Sequence, residues 1–221
     1  MKVIKSVIRR CAILVLTGTI SPLAFGQDAQ SISNESASWY SFTVQKKLGA
    51  GWYLFINPEI RLKEWEVDKY LLETGIKYKI NKYLSTTATY RFTADQKSDH
   101  LEYSHRLALD LKGQTKIGDF EPEIRLRYTG IADFEEDPDT KYLRYKALLA
   151  YDIPKNKLTP YLAAEAFQGL TNDDFTKMRY SIGADYKLKK GNSIGLSYKL
   201  DYYLEEYKNK HIIGLKYKLK F

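Results

Sequence analysis

Residues 211–221, the last eleven of the chain, read H-I-I-G-L-K-Y-K-L-K-F. Side chains in an extended strand alternate between two faces. Ile213, Leu215, Tyr217, Leu219 and Phe221 therefore share one face, and Ile212, Gly214, Lys216, Lys218 and Lys220 the other. A strand that is oily on one side and cationic on the other, ending on a free aromatic, is out of place in a soluble sheet. It resembles the final strand of Gram-negative outer-membrane barrels, in which the terminal aromatic is a sorting signal for the barrel-assembly machinery. That likeness assigns Tyr217, Leu219 and Phe221 to the signal.

The opposite end of the chain is consistent with export. Lys2, Lys5, Arg9 and Arg10 precede an apolar run over 11–20, and Ala24 and Gly26 are small residues at the minus three and minus one positions of a cleavage before Gln27. The run is too short to span a bilayer as a helix. The expected division is a signal peptide at 1–26, a polar lead at 27–36 and a barrel at 37–221. Cys11 is the sole cysteine and lies in the leader, so the mature chain would have no disulfide, thiol or Cys-metal site.

Four of the 35 basic residues and none of the 27 acidic ones belong to the leader, so the mature excess is +4 and not +8. Acidic and basic residues are interleaved, with no basic stripe, which argues against nucleic acid as a partner. Mean hydropathy of −0.45 would suit a soluble protein. In a barrel, however, each outward apolar residue alternates with an inward polar one, so a low average is expected. The aromatic share of 14%, with 19 Tyr, fits rings settled at two membrane interfaces. Trp52, Tyr78, Tyr151, Tyr186 and Tyr217 would form one girdle, and Trp39, Trp65, Tyr70, Tyr128, Tyr145 and Tyr202 the other.

The same alternation recurs in eleven runs: 38–48, 52–63, 70–80, 84–93, 100–112, 120–128, 141–153, 158–169, 175–188, 192–205 and 211–221. Most are 10 to 13 residues long, enough for a tilted membrane strand. The fold class is all-β, a transmembrane antiparallel up-and-down barrel. Bacterial single-chain barrels use even strand numbers. Twelve strands are therefore expected, with 27–35 as the extra one, within a range of ten to twelve. Turn lengths, counted back from a periplasmic C-terminus, put shorter turns inside and longer loops outside, including the acidic stretch 133–140.

The order of Tyr90-Arg91, His105-Arg106, Arg125-Leu126-Arg127-Tyr128, Tyr142-Leu143-Arg144, Thr159-Pro160-Tyr161 with Glu165 and Phe167, and Arg179-Tyr180 with Gly183 resembles the outer-membrane barrels grouped as the domain-of-unknown-function 2490 family. The likeness spans 39–221. It implies the barrel fold and carries no activity with it.

The candidate site is the charge turned into the lumen: Glu59, Arg61, Arg125, Arg127, Arg144, Lys146, Glu165 and Arg179. Regular hairpins place Glu165 beside Lys146 on one neighbour and Arg179 on the other. Such opposite charges form a cross-strand ladder, with the Arg179 fork as the stronger partner. The network would either fill a structural envelope barrel or line a narrow conduit for small polar solutes or ions.

The alternative is a lipid-active enzyme, an acyl hydrolase or transferase working at the outer leaflet, and His105 on the outer face is its candidate residue. Ser104 points the other way, however, so no nucleophile lies beside it. His100 and His211 read as interfacial residues. The acidic loop 133–140 lacks the spacing and Gly of a calcium site, and no metal or cofactor is expected. The partners implied are outer-membrane lipids and, during biogenesis, the assembly machinery, with the barrel itself a monomer.

Overall fold

The structure, a computed structural model, describes residues 32–131, 141–171, 173–204 and 206–221. Eleven strands follow one another: β1 (Ser33–Gly49), β2 (Trp52–Lys63), β3 (Glu66–Lys79), β4 (Leu84–Gln96), β5 (Leu101–Gln114), β6 (Phe120–Ile131), β7 (Tyr142–Tyr151), β8 (Leu158–Gly169), β9 (Phe175–Lys187), β10 (Ser193–Tyr203) and β11 (Lys208–Lys220). Each pairs antiparallel with the next, and the sheet closes on itself. No helix among the described residues is long and apolar enough to cross a membrane, which says nothing about crossing by strands.

Eleven strands fall within the expected ten to twelve, but the favoured even number does not hold. In an up-and-down meander with an odd count, the first and last strands point the same way. β1 and β11 accordingly close the barrel in parallel, from Ser33 opposite Lys208 to Gln45 opposite Lys220. Residues 33–35, read as part of a separate twelfth strand, are the head of the 17-residue β1. Residues 27–31 and the leader lie outside the described residues, as does the acidic stretch 133–140.

The alternation read from sequence sorts the wall as expected. Ile124 and Leu196 on the outside are 69% and 59% exposed, whereas Thr129 and Ser197 on the inside are buried. The strands run from 10 to 17 residues, so every one is long enough for a tilted crossing. Turn lengths discriminate less than expected. One end carries 50–51, 80–83, 115–119, 152–157 and 188–192, the other 64–65, 97–100, 132–141, 170–174 and 204–207. Only 132–141 is long, so the contrast between the ends rests on that connection alone.

The parallel seam is held from both sides. Inside, Ile212 is fully buried against Ala37 and Trp39. Outside, Phe42 stacks on Tyr217 with ring centroids 5.6 Å apart. The Phe221 amide donates to the Gln45 carbonyl at 3.1 Å, and its own carbonyl accepts from the Lys47 amide at 3.0 Å. The terminal aromatic thus extends the ladder to its last residue.

Two inward glycines make room for rings. A Cβ on Gly183 would meet the Leu196 carbonyl and the Tyr161 hydroxyl at 2.6 Å, and one on Gly75 would meet the Phe55 ring at 2.7 Å. Tyr161 and Phe55 lie directly opposite these glycines in register and fold over them.

Candidate functional site

Strand register sets the charges in oblique rows around the lumen. One row runs Lys112, Arg125, Lys146, Glu165, Arg179, Asp201, Lys210 across β5 to β11. The next runs Asp110, Arg127, Arg144, Phe167, Lys177, Tyr203. Glu165 therefore does sit between Lys146 and Arg179 in register, as expected, but it bonds to neither.

Glu165 Oε1 accepts from Arg125 Nη2 at 2.8 Å, and Arg144 Nη2 approaches it to 2.9 Å. Its long side chain reaches across β7 to β6, and diagonally to the next row. Arg179 instead directs its fork at Asp201 on the other flank, Nε to Oδ1 at 2.5 Å and Nη2 to Oδ2 at 2.6 Å. Both carboxylates stand beside Arg179 in register, and the short Asp201 presents both oxygens to the planar guanidinium. Arg127 forks Asp110 in the same way, at 2.6 and 2.7 Å. Glu59 and Arg61, two residues apart on one face of β2, pair with each other at 2.6 Å. Lys146 has no ion pair among the described residues.

These carboxylates are well removed from water. Glu165 is 4% exposed and Asp201 1%. Each is held by two cations, Glu165 by Arg125 and Arg144, Asp201 by Arg179 and Lys177. A buried charge is tolerable only when paired and hydrogen-bonded, and both meet that condition.

Trp39 departs most from its expected place. Instead of joining an interfacial girdle, it projects from β1 into the lumen and is 9% exposed. Arg61 lies over its ring at 4.0 Å, Lys199 at 4.4 Å and Arg179 at 5.0 Å. These cations come from β2, β10 and β9, so the indole bridges well-separated parts of the wall. Phe167, on β8, lies under Lys177 at 4.3 Å and Arg144 at 4.6 Å, its register partners on the adjacent β9 and β7. Cations on aromatic faces gain from the ring quadrupole, more so when desolvated. Arg179 lies over both rings, 5.0 Å from Trp39 and 5.3 Å from Phe167, and links them with the ion pairs into a packed layer toward the end opposite the C-terminus. The other expected girdle residues lie on the outside, with Trp65 and Tyr70 among the most exposed.

On the outer wall, the Nδ1 atom of His105 lies 2.5 Å from the Tyr90 hydroxyl, and the ring packs against Phe92. Ser104 belongs to the opposite face and aligns with Thr93. His211 makes the same kind of pair with Tyr198, at 2.6 Å, and exposed His100 pairs with Asp99 at 2.7 Å. Among the described residues, no group of three or more His, Cys, Asp or Glu side chains is placed to hold a metal ion.

Beyond the strands, in the turn after β7, Lys116 and Lys187 both donate to Asp152, at 2.6 and 2.5 Å. The hydrogen bond from Lys116, followed by that from Lys187, holds its carboxyl down to about 2.

Sequence reasoning identified the inward charges but missed Asp110 and Asp201 as the acceptors of the two arginine forks, and Trp39 and Phe167 as the rings beneath the cations. Alternation had already put Asp110 and Asp201 on the polar face. What it lacked was the tilt that decides which neighbour a side chain reaches.

The wall and its contents define a class: a closed β-barrel, apolar outside, with a lumen lined by its own ion-paired and aromatic side chains. The sequence model of the family described as "Protein of unknown function (DUF2490)" matches residues 36–211, and the chain belongs to that family. No curated protein and no solved structure matches the chain.

Proposed function

We propose that this protein is an integral outer-membrane β-barrel, exported with removal of residues 1–26, that acts as a closed envelope barrel and not as an open pore or an enzyme. A closed sheet leaves no unpaired edge in lipid, and the outer face offers a continuous apolar belt with Tyr and Trp residues along it. Tyr217 and Leu219 face outward at the seam beside the terminal Phe221, where the assembly machinery would read them. With the C-terminus in the periplasm, β1 starts at the external mouth and the packed layer lies toward that mouth.

The observation that carries the reading is Trp39, held across the lumen by Arg61, Lys199 and Arg179. A conduit would need that layer to be absent or to move. Two measurements test the reading. Fractionation should place the mature protein in the outer membrane, extracted only by detergent. Planar bilayers containing the refolded barrel should show no stable current steps, and sustained ohmic steps from the wild type would overturn the closed-barrel reading.

A further inference from the structure

Beside the packed layer, toward the end that bears the C-terminus, the lumen holds a chamber of about 270 Å³. At about 30 Å³ per water in the liquid, that is room for roughly nine. Every carboxylate on its wall already has a cation: Glu73 has Arg91 at 2.5 Å, Asp110 has Arg127 at 2.6 Å, and Glu123 has Lys112 at 2.5 Å.

Two lysines on the same wall are left over. Lys77 and Lys218 have no ion-pair partner among the described residues; Lys218 bears the repulsion of Lys220, Lys77 and Lys112, and Lys77 that of Lys112, Lys79 and Lys220, offset in part by Glu123. Two hydrogen-bonding atoms are left over with them. Thr89 is 5% exposed and its Oγ1 has no partner. Arg125 gives Nη2 to Glu165, while its Nε has no hydrogen-bond acceptor and stands 3.7 Å from Asp110 Oδ1, an oxygen that Arg127 already holds.

The chamber is thus rich in donors and cations, and its carboxylates are already engaged. Water would solvate the ammonium groups but would not cancel their mutual repulsion between low-dielectric walls. We propose that the chamber is a binding site for a small tetrahedral oxyanion, of the phosphate or sulfate class, held by Lys77 and Lys218 with Thr89 and Arg125 as further donors. The volume admits such an ion with a few waters and excludes a sugar chain or peptide. A second cavity of about 460 Å³, nearer the C-terminal mouth, shares Glu123 with the first and marks the side from which an ion would enter.

The inference rests on the chamber and not on the membrane role. The test is calorimetric titration of the refolded mature barrel in zwitterionic detergent with inorganic phosphate and, separately, sulfate, against sodium chloride at matched ionic strength. A saturable one-to-one isotherm is expected for the oxyanions, with a rise in melting temperature that follows mass action. In Lys77→Gln/Lys218→Gln, affinity should fall about tenfold or more, because charge-assisted hydrogen bonds are lost. Lys97→Gln, at the opposite end, should bind as the wild type does.

A response to phosphate and sulfate that matches chloride in the wild type overturns the proposal, as does an unchanged affinity in the double variant. Should that variant fail to fold, the wild-type isotherm decides without it. Conductance steps would remove the closed-barrel reading and leave this titration standing, and the converse also holds.

Discussion

Glu165→Ala is the most informative single change, because Glu165 is a hub and its partners are spokes. Its side chain is 5% exposed, and it receives Arg125 at 2.8 Å and Arg144 at 2.9 Å, which are themselves 19% and 12% exposed. Removing the carboxylate leaves the partly buried Arg144 without a counter-charge and Arg125 with only Asp110, 3.7 Å away and already held by Arg127. Taking one partner out of a buried pair costs about 3–5 kcal/mol, and that is the loss expected in unfolding free energy. Arg144→Ala should cost less, because Glu165 keeps Arg125, while Arg125→Ala leaves it Arg144. Glu165→Gln retains an acceptor but loses the charge, and should fall between wild type and alanine. The assay is reversible urea unfolding of the barrel in lipid vesicles, supported by heat-modifiable gel mobility. Glu165→Ala within about 0.5 kcal/mol of wild type, the range of an ordinary surface change, would refute the argument. An Arg144→Ala loss larger than the Glu165→Ala loss would refute it equally, because the hub would then be misassigned.

Other changes probe the layer, the wall and the turn. Trp39→Ala removes the ring that Arg61, Lys199 and Arg179 share, and should introduce current steps in planar bilayers where the wild type has none; a variant as silent as the wild type would show that Trp39 is not what closes the lumen. Gly183→Val forces a branched side chain into space occupied by the Leu196 carbonyl and Tyr161, with an expected loss of about 1–3 kcal/mol from overpacking; unaltered urea unfolding would contradict the close approach. Asp152 has a folded pKa of about 2, below its ordinary 3.8. Its pairs with Lys116 and Lys187 therefore contribute stability above about pH 4, and that contribution fades as pH falls toward 2. Asp152→Asn should flatten this acid limb of the melting profile, and a limb unchanged by the substitution would exclude those pairs as its source.

Period-two alternation made the facing of the wall legible, because one residue of slip would turn every Leu and Ile inward. It placed Leu196 outside and Asp201 inside without any knowledge of partners. It also fixed register well enough to set Glu165 between Lys146 and Arg179, since short hairpins allow few pairings. Which contacts form across those rows depends on tilt and side-chain length. Glu165 therefore reaches Arg125 two strands away, while Asp201 takes the fork. Trp39 was misplaced for a related reason. An aromatic near a strand end has the composition of a girdle residue on either face, and neighbouring Tyr40 and Phe42 supply the outward rings. Only parity within β1, which sets Trp39 with Ala37 inside, separates the two.

The strand count follows from the seam. An even barrel would need a twelfth strand between β1 and β11, whereas here these two strands pair directly over thirteen register positions. A parallel ladder is slightly weaker per residue than an antiparallel one, so its side chains have more to contribute. Ile212 buried against Ala37 and Trp39 supplies apolar contact within the lumen, Phe42 on Tyr217 supplies it outside, and the Phe221 backbone adds two further bonds. Trp39 thus serves two structures at once, the seam through Ile212 and the packed layer through its three cations. On the proposed closed-barrel reading, the ring that joins the ends of the sheet also blocks the space the sheet encloses, which couples closing the wall and closing the lumen at one residue. Trp39→Ala should accordingly weaken the barrel as well as open it, whereas Phe167→Ala, remote from the seam, should disturb the layer with a smaller effect on closure. Urea unfolding of the two variants side by side measures that difference, and equal losses would separate the seam from the plug.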